Sequence, residues 1–470
     1  MGGKKAKKGA SAYRYFTLFL VLALTALIVI YGATVLQRQE GNDPVSSVDS
    51  VGDESQTGSV PGSTSTSDDP SADRSDEPTS APENSEDPPP VSEDTVVSIL
   101  ACGDNLIHPS VYYYAMECYA NAHNENCTYV ATNDANYDFS SIYTNVAERM
   151  KNADICYINQ ETLSGGDGTK IYGYPTFNSP EAVGRTLRTL GVDVVNMAHN
   201  HMLDAGNDSF LIHSDGFFKS LGMTPLGYYK NEADTNNIVL YEEQGITFAF
   251  LTYTYGTNGI TSRSETYIPY MKEDFVRKQV ALAKQQADVV IVSAHWGNED
   301  TYSPNSDQKF FANLFCELGV DVVIGMHSHC IQPMQWMESS TGHRMLLTYS
   351  LGNFVSGMQG GLNVLEGMLS FNVRRDAQTK EITVEEPLFT PLVLHYTKEK
   401  SVNTQLDTGY RNFKLYDLKD YTEGLAAAHG VVWYEKSHGS TLRGGKFSLE
   451  NLYRTVKEII PAEFLPPEYR

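Results

Sequence analysis

The chain repeats one pattern: a short apolar run rich in β-branched residues, a glycine or polar turn, then an amphipathic stretch of about 10–15 residues. Strand-like runs fall at Val96–Ala101, Ile155–Ile158, Val192–Met197, Ile246–Tyr253, Val289–Ser293 and Val320–Ile324. Helical spacing falls at Ser140–Lys151, Pro180–Leu190, Gly206–Leu221, Lys272–Gln286 and Ser306–Leu318. Gly191, Gly222 and Gly319 follow three of these helices, where a left-handed residue ends a helix without steric cost. Such alternation specifies βαβ units and a largely parallel sheet, hence an α/β fold. Two late runs, Leu346–Tyr349 and Met368–Val373, lack intervening helices and imply a second sheet packed on the first. Helices should flank the pair.

Groups able to ligate a metal stand directly after these runs. Asp104 and His108 come after the first, Asn159-Gln160-Glu161 ends the second, and His199-Asn200-His201 with Asp204 follows the third. His295 to Glu299 leaves a fourth run, Gly325-Met326-His327-Ser328-His329 a fifth, and Tyr349 to Phe354 a late one. Each alone suits a turn, a helix cap or a surface histidine. Together they place carboxylate, carboxamide and imidazole groups where open α/β sheets bind ligands, and such groups can hold divalent cations. Trp296 fits either a substrate platform or a core indole. His123, His213, His343, His395, His429 and His438 have no such placement and read as surface or loop residues.

Charge and termini define the rest. A net charge of -23 argues against nucleic acid, since phosphate binding needs a basic face. Much of the excess lies between Glu40 and Asp94, where Arg74 is the only basic residue. Residues 37–94 therefore read as a disordered acidic, Ser/Pro-rich linker. Residues 1–14 form a basic tail, and 15–36 carry no charge and have the length of a transmembrane helix. The expected organisation is a cytoplasmic tail, one span, and a main domain outside the cell membrane. A cleaved signal peptide is the competing reading, but the apolar run exceeds the usual h-region of about 7–15 residues. In that outside compartment Cys118 and Cys127 are candidates for a disulfide, whereas Cys102 and Cys156 read as buried small hydrophobes.

The order of the motifs resembles the calcineurin-like metallophosphoesterases, and more specifically their CapA branch, the poly-γ-glutamate capsule synthesis proteins. Gly103-Asp104 to His108, Asn159 to Glu161, Ala198 to Gly206, His295-Trp296-Gly297 with Glu299, Gly325 to His329 with Gln332-Pro333, and Tyr349 to Phe354 carry the likeness. It covers about residues 95–395 within an expected domain of 95–400, and leaves 401–470 as a C-terminal appendage of unreadable role. The resemblance implies two divalent ions (Mn, Zn or Fe). Asp104, His108 and His329 would serve one, Asn200, His295 and His327 the other, and Glu161 would bridge them. His201 would be the catalytic acid or electrostatic stabiliser. Asn159, Asp204 and Glu299 would hold ligands from behind; His199 is open between that role and a spare ligand. Phe177 and Asn178 match a loop that borders the cleft and would touch substrate. Two departures stand out. Asp104 and His108 are spaced more widely than the family's Asp-x-His, and His199-Asn200-His201 replaces its Asn-Asn-His.

Three functions fit. The first is a metal-dependent hydrolase of a phosphoester or of an amide in an anionic polymer. The second is a capsule-polymer binding or export component whose metals hold carboxylates without turnover. The third is an inert module keeping metal for stability. Expected partners are membrane lipid through the span, the anionic polymer or phosphoester, and membrane-bound capsule synthesis proteins.

Overall fold

A computed structural model describes residues 93–399 and 409–470. Two sheets carry the fold. The first takes β1 (Thr95–Asn105), β2 (Ile155–Asn159), β3 (Val194–Asn196) and β4 (Thr224–Leu226) in parallel. The second contains β5 (Val239–Glu243), β6 (Ile246–Thr254), β7 (Val289–His295), β8 (Val322–Met326), β9 (Met334–Glu338) and β10 (Arg344–Thr348), in the order β5-β6-β7-β8-β10-β9. Its inner four strands are parallel. β11 (Asn353–Val355) pairs in parallel with β1. β12 (Leu365–Arg375), β13 (Ile382–Lys398) and β14 (Tyr410–Asp417) continue the first sheet antiparallel, giving β14-β13-β12-β1-β2-β3-β4.

The late strands thus divide differently from expectation. Met368–Val373 lies in β12 and joins the first sheet, because β12 runs antiparallel along β1 with Ile99 opposite Phe371. Leu346–Thr348 lies in β10 of the second. The second sheet is built mainly from the middle of the chain.

Period-2 alternation makes the two-layer packing visible. Phe248, Phe250, Val289, Ile291, Val322 and Ile324 face the first sheet and share a core with Ile99, Tyr157 and Ile158. Their neighbours Ala249, Leu251, Val290, Val292 and Val323 point the other way. There they bury against helices Glu273–Ala283 and Ser306–Glu317, including Val276, Val280, Ala312 and Phe315. Strands buried on both faces need apolar residues at every position, which is why these runs are continuous rather than alternating. Trp296 belongs to that outer core and donates its indole N–H to Tyr349 O at 2.9 Å.

Three further expectations change. Ser140–Lys151 forms two short helices, Ser140–Tyr143 and Ala147–Lys151. A helix also forms at Pro109–Ala122, where none was expected. Cys118 sits within it and Cys127 beyond its end, and no disulfide joins them; Cys118 Sγ instead lies 3.5 Å from Ser141 Oγ. Cys102 and Cys156 are buried as expected.

The membrane assignment is also corrected. Among the described residues no helix is long and apolar enough to cross a membrane. The longest of them has 14 residues, about 21 Å at 1.5 Å per residue against a hydrocarbon core of about 30 Å. The expected tail 1–14, span 15–36 and nearly all of the linker lie outside the described residues. The single-pass, outward-facing localisation is therefore withdrawn.

Candidate metal centre

Five strand ends converge where the two sheets meet. β1, β2, β3, β7 and β8 all run toward this edge, so Asp104, Glu161, Asn200, His295, His327 and His329 arrive from separate chain segments. Register aligns them. Asp104 lies opposite Asn159 of β2 and Asn353 of β11. The approach is tight: a Cβ on Gly103 would sit 2.2 Å from Gly352 O, so glycine is required before Asp104. His327 and His329 both hold positive φ, 91° and 53°. Non-glycine residues adopt that conformation at a cost of order 1–3 kcal/mol, and such strain gathers at functional sites.

Two groups share one carboxylate. Glu161, His327 and His329 form the first, and Asp104, Glu161 and His295 the second; within each, the donor atoms lie within 4.8 Å of one another. His295 Nε2 is 3.6 Å from Glu161 Oε1, and His329 Nε2 is 3.8 Å from it. Asn200 Oδ1 lies 3.0 Å from His295 Nε2. His108 enters neither group. It caps helix Pro109–Ala122, and its Nδ1 faces Gly357 N at 3.1 Å and Leu106 O at 3.1 Å. His329 groups with His327 and also keeps its expected neighbour, since its Nδ1 lies 3.4 Å from Asp104 Oδ2. The same Nδ1 is 3.0 Å from Asn353 Oδ1, and Nε2 faces Glu161.

Neighbouring amides fix these ligands. Asn159 donates to Asp104 Oδ1 at 2.6 Å and accepts from Asn196 at 2.7 Å; Thr252 in turn donates to Asn196. The His327 backbone N–H donates to Asp104 Oδ2 at 3.1 Å. Asn159 therefore braces Asp104 from behind. His199 lies behind the site with its ring 6.0 Å from that of His295, and its Nδ1 accepts the His201 N–H.

The residues fit a cation. Glu161 is fully buried with neither oxygen hydrogen-bonded, and His327 Nδ1 is buried without a partner. Unsatisfied buried acceptors of this kind are rare and call for an ion or water. Electrostatics agrees. Burial, then Asp104, pushes the Glu161 pKa well up. Burial, then the neighbouring imidazoles, holds His295 and His327 well below the ordinary value. Burial also acts to lower His329, yet Glu161 and Asp104 raise it to about 10. Carboxylates and imidazoles crowded in this way, with His295 and His327 neutral and His329 holding a proton that a cation would displace, are a donor set for a divalent ion.

A cleft of about 700 Å³ opens above, lined by His108, Phe177, His201, Glu299 and His329 among others. His201 Nδ1 donates to Asp204 Oδ2 at 2.8 Å, and Asp204 Oδ2 also accepts the Phe177 N–H at 2.7 Å. Phe177 stands edge-on between His108 and His201, with centroids 5.2 and 4.8 Å away. Asp204 thus orients a histidine. Glu299 does not: it is exposed on the cleft wall and hydrogen-bonds to no histidine among the described residues. Asn178 also fails to reach substrate space, because its amide is spent within its own loop on Gly165 N, Thr169 Oγ1 and Lys170 O.

Several residues at the site escaped the sequence reading. Asn353 and Asn196 have the roles given above. Tyr255, 47% exposed, lays its ring 4.4 Å from that of His327. Asn258 lies 3.3 Å from Asn200 and 3.4 Å from His201 Nδ1. Glu366 on β12 is buried with both oxygens unpartnered, and burial, then Asp104, pushes its pKa well up. Its signal was present, as a glutamate inside the apolar run Val364–Leu369.

Fold and site define an α/β protein whose paired sheets gather a buried carboxylate–histidine cluster. The family described as bacterial capsule synthesis protein PGA_cap matches residues 98–358, and the chain belongs to it. It is 27% identical over 312 residues to the capsule biosynthesis protein CapA of Bacillus anthracis, covering 64% of this chain and 71% of that one. It is 25% identical over 230 residues to the PGA biosynthesis protein CapA of Bacillus subtilis, covering 47% of this chain but only 59% of the relative. Among solved structures, a phosphatase from Mycoplasma pneumoniae is similar at TM-score 0.34 and 13% identity, over 64% of this chain and 95% of that one. That likeness is too loose to assign a reaction.

Proposed function

We propose that this chain is a CapA-type accessory protein of poly-γ-glutamate or related capsule polymer synthesis, acting as a metal-dependent hydrolase of a phosphoester or amide. The observation that carries it is Glu161, buried, unpartnered and common to two ligand groups. Asp104, Glu161, His295, His327 and His329 would hold two divalent ions of the Mn, Zn or Fe type, with Asn200 beside His295 and His108 at the cleft floor. Such ions supply Lewis-acid polarisation of a phosphoryl or acyl oxygen.

The chain's own residues supply the rest. With Nδ1–H directed to the Asp204 carboxylate, His201 presents Nε2 to the cleft; as the imidazolium it gives the Nε2 proton to the leaving oxygen or nitrogen and regains one from water. Phe177 packs against that ring and fixes its plane. A site that only stored metal would need no histidine oriented in this way. His201→Ala should lower hydrolysis of a generic phosphodiester by at least about 100-fold with metal content unchanged. Full activity in that variant would reject the role.

The names of the relatives, which speak of synthesis and not hydrolysis, favour a second reading in which the site binds polymer carboxylates without turnover. Metal-loaded protein given poly-γ-glutamate and phosphoester side by side separates the two. Tight binding of polymer with no cleavage of either supports the second.

A further inference from the structure

The cleft above the cluster is closed on its far side by residues beyond the family match, which ends at residue 358. Tyr434, His438, Gly439 and Thr441 line it together with His108, His201 and His329. Tyr434 and His438 are one turn apart on helix Gly430–His438. Their rings stack at 4.0 Å with planes 3° apart. His438 Nδ1 faces Tyr434 O at 3.2 Å and Ser437 Oγ at 2.9 Å, which leaves Nε2 for a ligand. The helix stops at Gly439 with φ 81°.

This wall is fastened to the floor. Thr441 Oγ1 accepts the Leu362 N–H at 3.0 Å, and Thr441 O accepts from Tyr302 Oη at 3.3 Å. Tyr410 Oη donates to Gln359, and Tyr396 Oη donates to Met358 O. The same floor loop contacts His108 through Gly357 N, and Asn363 donates to His329 O at 3.1 Å. The wall is therefore held in register with the ligand groups.

Its chemistry is distinctive. Among the described residues no lysine or arginine lines the cleft. Glu299 and Asp300 line it, and the distal side offers a stacked aromatic pair and hydrogen-bonding groups, which suit a planar, uncharged portion of a ligand such as an amide plane of the polymer backbone.

We propose that Tyr434 and His438 contact the part of the substrate leading away from the reacting group, selecting for a neutral planar moiety there. This rests on the reading that the reacting anion sits at the Glu161 cluster. The test uses the full chain loaded with Mn and two ligands without a scissile bond: inorganic phosphate and 4-biphenylphosphonate. The wild type should bind the biphenyl compound more tightly. Tyr434→Ala and His438→Ala should each remove up to about tenfold of that preference while phosphate affinity stays unchanged. His438 is exposed and Tyr434 half-buried, so folding is checked by an unshifted melting curve. Trp433→Ala, an exposed neighbour lying over Lys398 and not in the cleft, should change neither ligand. Preference retained in both wall variants, or lost equally for both ligands, overturns the proposal. Failure of the wild type to bind either ligand overturns the proposed function as well.

Discussion

Two sets of buried histidines invite comparison. His295, His327 and His329 crowd around Glu161 and Asp104, and the cluster leaves Glu161 and His327 atoms buried without partners. His395 and His429 are buried to a similar degree, with rings perpendicular at 5.1 Å, yet no carboxylate among the described residues joins them. His429 Nε2 donates to Leu394 O at 3.0 Å and its Nδ1 accepts the Val431 N–H at 3.0 Å. His395 Nδ1 pairs with Tyr421 Oη at 2.7 Å. Among the described residues neither His395 nor His429 keeps a nitrogen that is both buried and unpartnered, and the first set does. Burial does not make an imidazole a ligand; an unspent nitrogen beside an unspent carboxylate does.

The largest expected difference lies in how the ligands are held. Asn353→Ala removes the acceptor that turns His329 Nε2 toward Glu161. Metal affinity should fall about 10–100-fold, the usual effect of losing such a partner, as read by titration with a metal indicator. His429→Ala should do the reverse. It costs about 1–3 kcal/mol in denaturant unfolding, because Val431 N–H and Leu394 O lose their partner, and it leaves metal content intact. Equal metal loss in both variants would erase the distinction.

The smallest effect concerns pH. Burial lowers His395 to about 4, and burial, then His395, lowers His429 to about 3. The unfolded chain takes up these protons near 6.5 and the folded chain resists them. Their contribution to stability is complete above about pH 6.5 and lost as pH falls toward about 4 and 3. The slope is at most about 1.4 kcal/mol per histidine per pH unit. Unfolding curves at stepped pH should show a slope in the wild type that is shallower in His429→Ala by no more than one histidine's share, about 1.4 kcal/mol per pH unit.

Much of this arrangement was legible in the chain. Continuous β-branched runs followed at once by Asp104, Glu161, His295 or His327 declare both a buried strand and a ligand at its end, because both signals are local. Sheet membership was not, since nothing inside Met368–Val373 says whether it pairs with β1 or with β10. The helix Pro109–Ala122 had its mark, a proline in its first turn after His108, but three consecutive tyrosines obscured the period. His395 and His429 were read as surface residues, although Leu392-Val393-Leu394 directly before His395 already implied burial. Asn353 lay inside a recognised motif, but its role appears only when β11 aligns it with Asp104. A pairing between distant segments has no trace in either alone.

The central claim is that Glu161 joins two ligand groups into one cation-binding centre. Elemental analysis of the full chain and of Glu161→Gln, each reconstituted with Mn and then desalted, tests it most directly. About two ions per chain should remain on the wild type and none on the variant, whose melting curve should not drop. A wild type without stoichiometric metal, or a variant that keeps as much as the wild type, would contradict it.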